Sequence, residues 1–286
     1  MKTLRLLRDT AKLIHLSTNQ SFEECEIEAE EIYMHVLGID KTDMYTHEIL
    51  NISKKSQEKI DSIIEKRKKD IPLSYILKKH VFYKYDFYID DSVLIPRPET
   101  ESILDEIINQ GDSIFKKKNR CILLDAGCGS GCVGITIANE RPDWRVYLSD
   151  LNKDCLRVSK RNSELHNQDN VGLICADWLS AFGETKVDFI FSNPPYISKE
   201  DDRLDNSVLF NEPHSALFSP DNGLGDIKKI IESSVSVLTS SGVLFLENGV
   251  DQSDMVCQLL ESYDFTDISV HLDYNGQKRF TSSRKK

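Results

Sequence analysis

Cys121-Ile122-Leu123-Leu124-Asp125-Ala126-Gly127-Cys128-Gly129-Ser130-Gly131 is the stretch on which the fold turns. A short apolar run ends in Asp125 and enters a glycine-rich turn, and Val133-Gly134-Ile135-Thr136-Ile137-Ala138 continues it as a helix. Strand, turn and helix in that order are the setting a nucleotide-binding loop requires. Glycines at 127, 129 and 131 permit positive φ and let a ligand approach the backbone where side chains would block it.

The loop by itself leaves its ligand open. Gly129, Gly131 and Gly134 match G-x-G-x-x-G, which serves a dinucleotide as readily as S-adenosylmethionine. The next strand, Arg145 to Asp150, ends in an acid about 20 residues past the glycines, where a carboxylate accepts from ribose hydroxyls common to both ligands. A third strand, Val171 to Cys175, leads into Ala176-Asp177-Trp178. Asp177 is placed to receive an adenine amino group and Trp178 to pack on the ring; an exposed helix-starting acid and a core tryptophan would leave the same trace.

Further on, Phe189-Ile190-Phe191-Ser192 reads as an apolar strand and Asn193-Pro194-Pro195-Tyr196 as a rigid platform at its end. Asn193 carries a side-chain carbonyl, the prolines lack a backbone donor, and Tyr196 offers a flat face. Such a platform can hold a planar nitrogen group. Asn-Pro also marks ordinary stiff turns, so the motif gains meaning from the glycine loop upstream.

Together these residues resemble the class I methyltransferases that use S-adenosylmethionine. Leu94-Ile95-Pro96-Arg97-Pro98-Glu99-Thr100-Glu101 narrows the resemblance to the peptide-chain release factor glutamine methyltransferases, the PrmC/HemK family. Pro72 to Leu77 before Phe82-Tyr83, Glu212-Pro213-His214, Gly223-Leu224, Leu246 to Gly249, and Asp273 with Gly276 and Arg279 extend it from about Pro72 onward; the N-terminal part agrees in helical character. Two features depart from the family pattern. Lys78 stands where a glycine commonly follows, and is expected to need a different turn because a Cβ tolerates positive φ poorly. Cys128 and Cys132 replace residues that are usually Thr, Ser or Ala, and are small enough to leave the cofactor room.

The resemblance implies an α/β fold: a Rossmann-like, mostly parallel sheet of seven strands, a small all-helical N-terminal domain and a β-hairpin linker. The expected divisions are 1–71 for the helical domain, which contacts the release factor in the resembled family, 72–96 for the linker, and 97–286 for the methyltransferase domain. Ser21 with Glu24 forms a capping box, and Ile27, Ala29, Ile32, Tyr33, Val36 and Leu37 mark an apolar helix face closed by Gly38. Met1 to Ile14 reads as a first helix; Asp9 and the missing small-residue cleavage site argue against a leader. Val81 to Ile89 reads as a hairpin turning near Lys84.

Composition bounds the class. The 286 residues are 40% hydrophobic and 29% charged, which fits a folded enzyme of two parts, and no apolar run approaches the length of a membrane span. Seven cysteines, odd in number and without a C-x-x-C pair, read as reduced thiols of a cytoplasmic protein, with no metal site. His80, His166 and His214 read as surface or packing residues. The net charge of −11 weighs against a direct nucleic-acid target. Lys66 to Lys69 and Lys116 to Lys118 read as solvated helix end and loop, and Arg284-Lys285-Lys286 as a frayed tail.

The expected reaction follows from the resemblance: transfer of the methyl group to the side-chain amide nitrogen of the glutamine in the Gly-Gly-Gln loop of a class 1 release factor. Cofactor contacts fall on Gly127, Cys128, Gly129, Ser130, Gly131, Asp150, Asp177, Trp178 and Asn193. Asn193, Pro194 and Tyr196 carry catalysis, with Pro195, Arg97 and Glu99 supporting the substrate. Two rivals use the same residues differently. An adenine amino-methyltransferase would hold a flipped base on the platform but should carry a basic groove or target-reading domain. A nicotinamide oxidoreductase would leave Asn193 to Tyr196 and Pro96 to Glu101 without a task.

Overall fold

A computed structural model describes residues 2–46, 50–183, 185–201 and 203–286. The chain divides into two compact units, Met1–Lys79 with Asn206–Asn211, and His80–Asp205 with Glu212–Lys286.

The first unit is helical. Helices Lys2–His15, Phe22–Leu37, Lys41–Thr46, Lys54–Arg67 and Leu73–Leu77 bury Leu7, Ala11, Ile14, Ala29, Ile32 and Ile60 against one another. Met1, expected to begin the first helix, lies outside the described residues. The Ser21 side chain accepts from the Glu24 N–H while the Glu24 carboxylate receives the Ser21 N–H, and Gly38 ends that helix at φ 66°. The buried face is Cys25, Ala29, Ile32 and Tyr33; Ile27, expected on it, is 56% exposed because the stripe starts two positions earlier.

Two other expectations for this unit fail. Arg67 is no solvated helix-end charge: it is buried, and its guanidinium donates to Glu28, Gln20 and the Ile71 carbonyl. Its pairing satisfies donors that would otherwise be costly to bury. Lys78 does adopt the left-handed conformation, at φ 56°, and caps Leu73–Leu77 by donating its N–H to the Ser74 carbonyl. The turn that glycine would favour is kept, and the capping bond offsets part of the strain of about 1–2 kcal/mol.

The second unit opens with a hairpin, β1 (His80–Phe82) and β2 (Tyr85–Phe87), that turns through Tyr83 and Lys84 with Tyr83 at φ 60°. Seven strands then form one sheet: β3 (Ile122–Ala126), β4 (Arg145–Asp150), β5 (Val171–Cys175), β6 (Val187–Ser192), β7 (Leu238–Glu247), β8 (Phe265–Leu272) and β9 (Lys278–Lys285). Among the described residues their order is β5-β4-β3-β6-β7-β9-β8, and β9 alone runs antiparallel to its neighbours. All six residues of β6 are buried, as both-face coverage by helices requires of a central parallel strand. Burying each large side chain such as Phe189 or Phe191 contributes roughly 1.5–3 kcal/mol.

Charged residues at the strand starts are structural. Asp188, fully buried on β6, accepts from Lys118 Nζ at 2.7 Å, the Ile122 N–H at 3.1 Å and the Thr239 hydroxyl at 3.1 Å. Lys118 is thus a partner for a buried acid and not merely a solvated lysine. Arg284 and Lys285, expected to fray, belong to β9, and Lys285 Nζ donates to the Leu238 carbonyl.

Register decides what lies at the other edge. Asp125 pairs with Leu148 of β4 on one side and with Phe191 of β6 on the other. The chain therefore leaves β3, β4 and β6 at one level, where the strand order reverses. That switch point is where open α/β sheets bind ligands.

Candidate active site

The glycine turn after β3 is built from backbone. Gly127, Gly129 and Gly131 take φ of 73°, 55° and 77°. The Gly127 and Cys128 N–H groups donate to the Ser149 carbonyl, at 2.8 and 2.9 Å, which ties the turn to β4. Asn162, fully buried on the helix Lys153–Leu165, donates to the Ser130 carbonyl at 2.9 Å and to that of Tyr88. A Cβ at Gly127 would lie 2.8 Å from the Trp178 ring, whereas one at Gly129 would meet open space. The turn is thus closed toward the tryptophan and open at Gly129.

Two acids hold this turn. Asp125 is buried, and its Oδ2 accepts the Gly134 N–H at 2.9 Å at the start of the next helix; burial pushes its pKa up to about 7. Asp150 accepts from the Gly129 N–H at 3.0 Å and the Asn152 N–H at 2.8 Å, bonds that oppose the upward push of burial on its pKa. Carboxylate oxygens have about four acceptor sites, so Asp150 keeps capacity for a diol. Cys128 and Cys132 are buried with thiol pKa values pushed upward by burial, so both stay neutral and serve as small apolar wall.

These groups surround a cavity of about 560 Å³ lined by the loop 127–130, Asp150, Asp177, Trp178, Asn193 and Pro195. Trp178, at φ 49°, donates its indole N–H to Asp226 at 3.3 Å, and Asp226 receives the Ser219 hydroxyl at 2.7 Å. Asp177 is exposed on the cavity wall. The donor and acceptor set fits an adenosine-bearing ligand: a carboxylate for the ribose, an indole beside the turn, and bare backbone at Gly129.

Asn193 follows β6, whose last residue, Ser192, donates its hydroxyl to the Ala126 carbonyl at 2.6 Å. Its Nδ2 donates to Thr100 Oγ1 at 3.4 Å. Tyr196 is engaged elsewhere. Its hydroxyl donates to Glu247 Oε1 and receives Arg279 Nη1, both at 3.3 Å, and its carbonyl accepts from Gln252 Nε2 at 2.9 Å. The ring is consequently fixed in place, and burial beside Glu247 drives the phenol pKa upward.

Of the residues singled out from sequence, Gly127, Cys128, Gly129, Ser130, Asp150, Asp177, Trp178, Asn193, Pro195 and Arg97 share the cavity wall. Gly131 lies just behind it, with Ile135 and Leu148 filling the space where a Cβ would point. Pro194 is buried, while Tyr196 and Glu99 stand outside that wall. Arg97 pairs with Glu212 at 2.7 Å, and Glu212 also accepts the Ile95 N–H at 3.1 Å, so the proline-fixed turn is held by one acid 115 positions away. Thr100, Asp226 and Glu247 were missed. An acid closing an apolar strand was the available signal for Glu247, as it was for Asp125 and Asp150.

Known proteins resemble this chain in sequence and in fold. The family described as Methyltransferase small domain matches residues 112–223, and the PrmC N-terminal domain matches residues 15–77. The release factor glutamine methyltransferase of Francisella tularensis is 34% identical, across 92% of this chain and 93% of its own. That of Escherichia coli is 29% identical, across 94% and 95%. Among solved structures, the T. thermophilus 16S rRNA N2 G1207 methyltransferase in complex with AdoMet and guanosine matches with a TM-score of 0.51 at 16% identity, covering 73% of this chain and 50% of that one. At that identity the match speaks for the sheet alone.

Proposed function

The chain belongs to the release factor glutamine methyltransferases, and from that premise we propose that it methylates the side-chain amide nitrogen of the glutamine in the Gly-Gly-Gln motif of class 1 peptide-chain release factors, in the cytoplasm. What supports the reading is one juxtaposition: the glycine turn, Asp150 and Asn193 line the same cavity. S-adenosylmethionine, when bound, supplies an electrophilic methyl on a sulfonium. Asp150 would hold its ribose, Trp178 and Asp177 would take its adenine, and the open backbone at Gly129 would admit the rest of the ligand.

A carboxamide nitrogen is a poor nucleophile because its lone pair is shared with the carbonyl. Catalysis then rests on positioning and on oxygens aimed at developing positive charge. Asn193 Oδ1 and the Pro194 carbonyl accept the two amide protons, turn the nitrogen toward the methyl and disfavour its resonance. The amide nitrogen that accepts this methyl would carry one proton too many, and with no side-chain base required that N–H proton would leave to water. Tyr196, outside the cavity wall with its hydroxyl held by Glu247 and Arg279, fixes the end of the platform that carries Asn193. Cys128 and Cys132, neutral and buried, keep that side of the cavity apolar.

The test is labelled S-adenosylmethionine with an intact class 1 release factor and with a variant whose Gly-Gly-Gln glutamine is replaced. Label on the intact factor alone is expected. Label on both, or on neither, overturns the acceptor assignment.

A further inference from the structure

Amide side chains can turn by 180° at almost no steric cost, exchanging an acceptor for a donor. An Asn193 turned the wrong way would set its NH₂ against the NH₂ of the substrate. Something must therefore specify the orientation. With Glu247 ionised, Thr100, in the short helix Pro98–Glu101, donates its only hydroxyl hydrogen to Glu247 Oε2 at 2.7 Å. Toward Asn193, at 3.4 Å, that oxygen can then only accept. Asn193 must give it Nδ2, which leaves Oδ1 on the other side of the amide.

We propose that Glu247 and Thr100 are positioning residues that polarise this relay, so that the acceptor oxygen of Asn193 is the atom presented to the substrate amide. The inference rests on the acceptor assigned above. Glu247 is 1% exposed and ends β7, whose neighbour in the sheet is β6; Leu246 pairs with Ser192, the residue before Asn193. Its other oxygen receives the Tyr196 hydroxyl, which in turn accepts from Arg279. One buried carboxylate thereby sets the direction of hydrogen bonding at both ends of Asn193-Pro194-Pro195-Tyr196. Thr100 acts through Asn193 and Glu247 acts through Thr100 and Tyr196; neither needs to touch the substrate.

Thr100→Val removes the hydroxyl at nearly constant volume, and Thr100→Ser retains it. With labelled S-adenosylmethionine and an intact class 1 release factor, Thr100→Val should lower kcat by about 10- to 100-fold, the scale of a misplaced reacting group. KM for the factor and the Kd for S-adenosylhomocysteine should stay within about twofold, and Thr100→Ser should restore kcat. An unchanged kcat in Thr100→Val overturns the relay. Equal losses in the Val and Ser variants, or a loss of cofactor affinity that matches the loss of rate, also overturn it by showing a packing role. No transfer by the unsubstituted protein would instead overturn the acceptor assignment, and the relay with it.

Discussion

Asp125 and Asp150 stand at the C-terminal ends of neighbouring strands and burial raises the pKa of both, yet their hydrogen bonds give them different tasks. Both line the cavity, but Asp125 spends an oxygen on the helix start at Gly134 whereas Asp150 receives the Gly129 N–H of the turn itself. Asp150→Ala should therefore weaken S-adenosylhomocysteine binding first, by about tenfold or more, whereas Asn193→Ala should lower kcat on the order of 100-fold with little change in that affinity. Titration calorimetry beside single-turnover kinetics separates the two; equal losses in both quantities for Asn193→Ala would contradict the division. Burial also sets a pH dependence. Asp125 and Glu247 have pKa values pushed up to about 7, against ordinary carboxyl values near 4. Around Glu247, bonds from Thr100 and Tyr196 and the charge of Arg279 oppose that rise, and Glu99 adds to it; around Asp125, the Gly134 N–H opposes and Asp150 adds. Between about pH 4.5 and 7 the folded state binds more protons than the unfolded chain, so stability contributed by these groups falls as pH rises through that window. The thermal midpoint of the ligand-free protein should drop between pH 5 and 7.5, and Asp125→Asn or Glu247→Gln should each flatten the slope.

Elements meet here through glycines that no strand or helix pattern explains. Gly111 sits in the helix Leu104–Lys118, and a Cβ there would fall 2.0 Å from Trp144 Cη2, so the helix and the turn before β4 pack through its bare backbone. Gly111→Ala should destabilise by about 1–3 kcal/mol, the cost of overpacking a filled site. Urea unfolding reads this directly, and an unchanged midpoint would show that Trp144 moves freely. Gly223, at φ 86°, allows the same intimacy beside the active site: a Cβ would lie 2.1 Å from the Tyr196 carbonyl. The runs Cys121 to Asp125, Arg145 to Asp150 and Val171 to Cys175 were legible as strands because each is short, β-rich and closed by a turn signal or an acid. Neither the burial of Arg67 nor the pairing of Lys118 with a buried acid was legible, since a basic cluster reads the same in sequence whether its acid is absent or lies 39 or 70 positions away.

For the whole molecule, ligand choice is the decisive measurement. A ligand that binds only the folded state raises its stability in proportion to its affinity, so S-adenosylhomocysteine should raise the thermal midpoint by several degrees and NAD should leave it unchanged. Stabilisation by NAD instead would favour the dinucleotide reading that Gly129-x-Gly131-x-x-Gly134 left open. Among the described residues no helix is long and apolar enough to cross a membrane. What the sequence by itself determined was local: the glycine turn with its left-handed residues, the acids at strand ends, the capping box and the proline platform, each specified by steric or hydrogen-bonding rules acting over a few residues. Only the tertiary structure decided which of these face one another. Thr100 meets Glu247 across 147 positions, Arg97 meets Glu212 across 115, and residues 206–211 join the helical unit. The physical reason is that such pairings depend on sheet order and register, which place distant chain ends at one edge, and strand-level patterns carry no mark of which strand will be the neighbour.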